Sequence, residues 1–187
     1  MAGTAFHPDV PNPSYEVSMC ERTILDLTDL RLRQKSEPVT VFDDDLEELA
    51  TEMIIVMERA RGIGLAAVQL GELKRVIVAR VSDSIEQRKA LVLVNPVITG
   101  RSEETTETSE GCLSIPGVRL AFTRPSSVNV DYVDLTGLPH TLTATGMLAT
   151  CIQHEIDHLN GILILDHVSR LKRDRAIAAF RKATRLK

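Results

Sequence analysis

Apolar residues recur at helical spacing early in the chain, with Leu46, Leu49, Ala50, Met53, Met57 and Ala60 falling on one face. Asp43 stands before this run as a helix N-cap, and Asp44, Asp45, Glu47 and Glu48 fill the first turn, where the helix dipole favours negative charge. Gly62 marks the stop. Farther along, Arg75–Val81 and Leu91–Val94 are runs of Val, Ile and Leu that predict strands. Ser127–Asp134 alternates, with Val128, Val130 and Tyr132 on one side, and pairs with Leu138–Thr145 across the Thr136-Gly137 turn. A second helix is predicted from about Gly146 to a C-cap at Gly161. A last helix is predicted over about 169–185, with Leu171, Ile177, Phe180 and Ala183 or Thr184 on its apolar side. The order is one helix, many strands, then two helices, which predicts an α+β domain rather than alternating βαβ units. Residues 1–21, rich in Pro, Ser and Asn without a period, predict a loose arm, and Met19–Val41 predicts extended segments and turns.

Length and composition keep this picture to one domain. The chain has 187 residues, 43% hydrophobic and 26% charged, which suits a single globular core covering residues 22–187. No stretch approaches the roughly 18 apolar residues of a membrane span. The N-terminus shows neither a basic-then-apolar leader nor an Arg-rich transit segment, so the cytoplasm is the expected location. Three cysteines, Cys20, Cys112 and Cys151, are too few for a disulfide framework in a chain this long. The net charge of −4 divides into +7 for Arg170–Lys187 and −11 for the remainder. A basic block of this kind suits either a polyanion partner or a solvated amphipathic helix face.

The chemistry is concentrated in His154-Glu155-Ile156-Asp157-His158, an H-E-x-x-H pattern. On a helix, residues four apart lie on one face, so both imidazoles reach a single ion. Glu155 sits about 100° round the helix from His154, beside the ion rather than on it, where a general base acting on water stands. A hydrolytic site of this type needs a third protein ligand. No Glu follows Glu155, Ile164 occupies the position of the third His in the longer H-E-x-x-H-x-x-G-x-x-H pattern, and His167 comes three residues too late. Cys112, in Glu110-Gly111-Cys112-Leu113-Ser114, is the best substitute, since a thiolate with two imidazoles suits Zn²⁺ or Fe²⁺. On residue type alone, a lone cysteine is more at home as a small buried apolar residue, and the absent downstream ligand with the adjoining Gly111 is what favours a ligand here. The run Gly62-Ile63-Gly64-Leu65-Ala66-Ala67-Val68-Gln69 permits close backbone approach. It follows a helix and lacks the Lys-Ser/Thr of a phosphate loop, which excludes a nucleotide site.

Together, the G-x-G-L-A-A-x-Q run at Gly62–Gln69, E-G-C-L-S at Glu110–Ser114 and Q-H-E-x-D-H at Gln153–His158 resemble the three motifs of the peptide deformylases, without a mismatch and in the family's order. The similarity extends from about Ile24 to the chain end. The resemblance implies mostly antiparallel sheets packed around a central helix carrying the H-E-x-x-H pattern, with a C-terminal helix. It implies removal of the formyl group from the N-terminal formylmethionine of nascent proteins. It also implies Cys112, His154 and His158 as metal ligands and Glu155 as general base. Gln69 and the backbone N–H of Leu113 are the implied oxyanion donors. Ile63, Gly64, Arg119, Cys151 and Thr150 are implied on the substrate side, with Thr150 replacing an aliphatic residue of many relatives. The glycine loop is expected to leave room only for a hydrogen on the substrate carbonyl. An ion pair between Asp157 and Arg124 is expected to steady the ligand helix. Iron as Fe²⁺ is the implied metal, with Zn²⁺, Ni²⁺ or Co²⁺ also suited to the donors. The basic last helix matches the element by which some relatives contact the ribosome. His7 and His140 are expected to be solvated. A metalloamidase with another acyl substrate and a non-catalytic metal-binding module are the rival readings.

Overall fold

The computed structural model describes residues 22–80 and 90–185. The expected loose arm over 1–21, with His7 and Cys20, lies outside the described residues, as does Val81 at the end of an expected strand.

Helix α1 (Asp44–Arg59) begins as its sequence predicts: the Asp43 side chain accepts from Leu46 N–H at 3.2 Å. Its buried face is Leu46, Leu49, Ala50, Met53, Val56 and Met57. The helix stops before Gly62, because Arg61 itself takes the left-handed conformation (φ 55°). Two short elements follow, strand β1 (Gly64–Ala66) and a 3-10 turn over Ala67–Leu70, so the small-residue run is a strand and a turn rather than a loop.

The main sheet has five strands in the order β1, β2 (Val76–Ala79), β3 (Leu91–Arg101), β6 (Ser127–Val133) and β7 (Pro139–Thr145), each pair antiparallel. Strand β3 runs past the predicted Leu91–Val94 by means of an irregularity between Val94 and Val97, where Asn95 adopts φ 52° and Pro96 needs no ladder N–H. Asn95 also bonds both ways to the Val39 backbone, at 2.8 Å each, pinning the N-terminal segment to the sheet. The predicted hairpin is present with Val128 and Val130 buried. A separate two-stranded antiparallel sheet, β4 (Thr105–Gly111) with β5 (Arg119–Pro125), was not visible in the hydrophobic pattern.

Helix α2 (Gly146–Leu159) lies at the centre, with Ala149, Cys151, Ile152, Gln153, His154, Glu155, Ile156, His158 and Leu159 all buried. Ile152, Ile156 and Leu159 join one core cluster with Ala66 and Ile77, while α1 packs on the opposite face of β1 and β2, Leu65, Val76 and Val78, to form the other. The chain leaves α2 through Gly161 (φ +73°), where a Cβ would stand 2.5 Å from the Arg33 carbonyl oxygen, so only glycine fits. A 3-10 turn over Ile164–His167 leads to α3 (Arg170–Arg185). Ala176 and Phe180 are the buried residues of α3. Leu171, expected on this apolar side, is 62% exposed. Nine residues at about 100° each put it on the opposite face from Phe180.

Candidate metal and active site

Helix α2 presents His154 and His158 one turn apart, with ring centroids 5.0 Å apart and edge to face. Strand β4 ends at Gly111 and delivers Cys112 opposite them; a tight turn closed by Ile115 N–H to the Cys112 carbonyl (2.9 Å) holds it there. Cys112 Sγ stands 3.2 Å from His158 Nε2. The ligand atoms of Cys112, His154 and His158 all lie within 4.8 Å of one another, and all three residues are buried. Among the described residues this group has three members, the number that leaves a four-coordinate ion one position for substrate or water. His154 engages Glu110 Oε2 through Nδ1 at 2.9 Å, which leaves Nε2 for an ion. Two buried atoms of this centre, Glu155 Oε2 and His158 Nδ1, have no hydrogen-bond partner among the described residues. A thiolate, two imidazoles and an unpartnered carboxylate oxygen beside them fit a divalent metal with an adjacent base.

The electrostatics follow from burial and neighbours. Burial pushes the Glu155 carboxyl up to about 7, with the Glu110 and Asp157 carboxylates adding to it and His154 and Arg124 opposing. Burial also holds His158 well below its usual value, in the neutral form a ligand requires, and the nearby His154 and Arg124 charges act in the same direction. Burial alone lowers His154, but hydrogen bonds to Cys112 and Glu110 outweigh it and hold His154 well above its usual value. Burial pushes the Cys151 thiol well up, aided by Glu155 and Glu110, so it remains a thiol at neutral pH.

The glycine run packs directly on this centre. A Cβ on Gly64 would lie 2.5 Å from Glu155 Oε1 and 2.6 Å from Cys151 Sγ. The space kept by this glycine is bounded by the Glu155 carboxylate and the Cys151 thiol of α2. The Cys151 thiol donates to the Ile63 carbonyl at 3.3 Å, and Ile63 itself is 46% exposed at the cleft mouth. Gln69 Oε1 accepts from Ala66 N–H at 2.9 Å, and its amide nitrogen donates to Ser114 Oγ at 3.1 Å and faces Cys112 Sγ at 3.9 Å. A cleft of about 1130 Å³ opens over the centre, and Gln69, Leu113, Arg119 and Thr150 line it. Arg119 lies across from Gly111 in the β4–β5 register and donates to the Ser109 carbonyl. The Thr150 hydroxyl turns back to the Gly146 carbonyl at 3.3 Å, so the extra polarity expected there is taken up by the helix backbone.

Arg124 pairs with Asp157 at 2.9 Å, as expected, and also forks onto Glu110 at 2.6 and 3.1 Å. Glu110 was missed by sequence reasoning as the group that orients His154. Burial would raise its carboxyl, but the hydrogen bonds from His154 and Arg124 prevail and hold it at about 2. Thr106, Thr108, Ser109, Glu110 and Gly111 of β4 all line the cleft, so recognising this strand would have flagged Glu110. His140 is remote from the centre, 43% exposed and bonded to Asp134 Oδ2 at 2.7 Å.

The sequence profile described as polypeptide deformylase matches residues 21–174. The peptide deformylase of Rhizobium meliloti is 46% identical over 167 residues, covering 89% of this chain and 96% of its own. That of Brucella suis is 45% identical, covering 88% and 94%. Among solved structures, a peptide deformylase from Legionella pneumophila superposes with a TM-score of 0.82 at 42% identity, covering 88% of this chain and 96% of its own. One from Synechococcus elongatus, solved in complex with actinonin, gives 0.81 at 43% identity, covering 87% and 89%. With the fold, the three motifs and the buried Cys-His-His group all in agreement, this chain belongs to the peptide deformylase family.

Proposed function

We propose that residues 22–187 form one catalytic domain that hydrolyses the formyl group from the N-terminal formylmethionine of nascent proteins. Cys112, His154 and His158 are its metal ligands. The observation that carries this reading is the buried three-residue donor set with the unpartnered oxygen of Glu155 beside it. A divalent ion held there supplies Lewis acidity and a water made acidic enough to react near neutral pH. The cleft binds the formylmethionyl end, with Ile63, Gly64, Thr150 and Cys151 around the side chain and Arg119 at the mouth. Glu155 takes a proton from water as its oxygen bonds to the formyl carbon. Negative charge gathers on the former carbonyl oxygen, where the Gln69 amide and the Leu113 N–H donate to it. The carbon–nitrogen bond then breaks, Glu155 returns the proton to the leaving amine, and formate and a free amino terminus result. A carboxyl poised near neutrality is suited to both transfers.

Fe²⁺ is the ion we assign in the cell, and the same donors accept Zn²⁺, Ni²⁺ or Co²⁺. We assign the enzyme to the cytoplasm, where nascent chains emerge; no described helix is long and apolar enough to cross a membrane. The exposed basic side chains of α3 are assigned to ribosome contact on their charge.

The deciding experiment is anaerobic purification followed by elemental analysis and formate release from formyl-Met-Ala-Ser on the same sample. Stoichiometric metal with rapid formate release is expected. A metal-replete sample that releases no formate overturns the reading in favour of a different acyl substrate or a non-catalytic metal module.

A further inference from the structure

We propose that His167 is a positioning residue for the metal site, acting on the ligand His154 through an unbroken chain of four hydrogen-bonded links. The inference rests on the proposed metal site and adds a residue that no sequence motif marks. The chain begins at His167, in the 3-10 turn after α2, whose Nε2 lies 2.8 Å from Asp157 Oδ2. The same carboxylate oxygen accepts from Arg124 Nη1 at 2.9 Å. Arg124 Nε and Nη2 fork onto Glu110 at 2.6 and 3.1 Å. Glu110 Oε2 ends the chain at His154 Nδ1, 2.9 Å away. The path leaves α2 at Asp157, crosses β5 and β4, and returns to α2 at His154, one turn short of where it left.

A second observation fixes His167 in this role. Its ring stacks on Phe122 of β5, with centroids 4.7 Å apart and planes 7° from parallel. The Arg124 guanidinium lies 5.0 Å from the centroid of the same Phe122 ring. The stack sets the plane of the imidazole and the carboxylate sets its edge, so one orientation satisfies both.

Position along the chain explains why the outermost link matters. The side chains of Glu110 and Arg124 are 5% and 7% exposed, whereas Asp157 is 20% and His167 30% exposed. Without the His167 donor, Asp157 has water as its alternative partner and is held by Arg124 alone. Arg124 then has one fewer fixed carboxylate to align it, and the angle of its fork on Glu110 loosens. Glu110 sets the rotation of the His154 ring, and that rotation aims the ligand nitrogen. The role needs an N–H donor at this point and does not depend on a change in protonation.

The test uses the full chain loaded with Co²⁺, whose visible spectrum reports thiolate and imidazole geometry and whose transfer to a chelator reports retention. His167→Phe keeps the ring stack and removes the donor; His167→Gln keeps a donor and removes the stack. His167→Phe should release Co²⁺ about 10-fold faster with shifted visible bands, the low end of the range for losing a ligand's supporting partner. His167→Gln should stay close to the unsubstituted protein. In an Asp157→Ala background, which leaves no acceptor, His167→Phe should add nothing, because the link is already cut. Should His167→Phe not fold, faster release in His167→Ala than in His167→Gln supports the role, and equal release rates overturn it. A His167→Phe protein with unchanged release and spectrum, or effects that add with Asp157→Ala, also overturns it. Failure of the unsubstituted chain to bind Co²⁺ at all would instead refute the metal site on which the inference rests.

Discussion

Single atoms decide the chemistry of this site, and Gly64 shows how closely. A methyl group on Gly64 would stand 2.5 Å from Glu155 Oε1, well inside contact distance, so Gly64→Ala must move either β1 or the carboxylate. Displacing a reacting group by about 1 Å costs on the order of 100-fold in rate. Gly64→Ala should therefore lower kcat about 100-fold while metal content stays stoichiometric; steady-state kinetics beside elemental analysis checks it, and unchanged kcat would show the carboxylate tolerates displacement. Gln69 acts differently, since its amide is fixed at both ends, by Ala66 N–H on the oxygen and by Ser114 on the nitrogen. Removing it deletes a donor without moving the base. Gln69→Ala should cost on the order of 10²–10³ in kcat with metal retained, and full activity in the metal-replete variant would remove Gln69 from the oxyanion site.

Elements meet at the Glu110–Arg124–Asp157 cluster, which ties the two-stranded sheet to α2, and acid tests this join. The Glu110 carboxyl is held at about 2 against an ordinary 4.5. A group depressed in the folded state contributes stability that is complete above its unfolded value and lost as pH falls through its folded value. The contribution is thus intact above about pH 4.5 and drains away toward pH 2. Glu110→Gln should flatten the fall in unfolding free energy across that window, measured by denaturant unfolding at several pH values. An unchanged slope would assign the acid sensitivity elsewhere. Neither strand of this sheet was legible in the sequence. Strand β4 reads Thr-Thr-Glu-Thr-Ser-Glu-Gly and is mostly exposed, so it carries no alternation of apolar and polar residues. Helix α1 and strand β6 were legible because one face of each is buried, and burial imposes a period. Helix α2 is buried nearly all round and was legible from its H-E-x-x-H run and the Gly161 that ends it. Leu171 misled for the complementary reason: an apolar residue near a helix start fits many registers until Phe180 fixes one. The Cys112–His154–His158 group and Glu155 were legible as motifs, and the Asp157–Arg124 pair from the family resemblance. Glu110 and His167 as parts of one chain were not, since that chain draws its residues from four separate elements.

The whole molecule is divided by charge and, on the proposed function, joined by its metal site. The +7 of Arg170–Lys187 against −11 elsewhere concentrates positive potential on one helix, where Arg170, Lys172, Arg175, Arg181, Lys182 and Arg185 are exposed. Binding to ribosomes through this face should weaken steeply between about 50 and 200 mM salt, as neutralising several phosphates requires. Co-sedimentation that ignores salt, or survives deletion of 170–187, would exclude the helix as the contact. The ion has a wider structural reach. Cys112 leaves the two-stranded sheet, His154 and His158 sit on the helix that packs against β1, β2 and β7, and one ion bonded to all three would join those parts directly. A ligand that binds only the folded chain stabilises it by about 2.7 kcal/mol at 100 times its dissociation constant. For a domain of this size each kcal/mol moves the melting temperature by about 2–4 °C, so stripping the metal should lower it by about 5–10 °C. Calorimetry before and after chelation, with recovery on adding back Co²⁺, measures this. Recovery should disappear in Cys112→Ala, because two imidazoles on one helix turn no longer connect α2 to the sheet beside it. An equal rise on adding Co²⁺ to that variant would mean that the ion stabilises α2 alone and leaves the two-stranded sheet to its salt bridges.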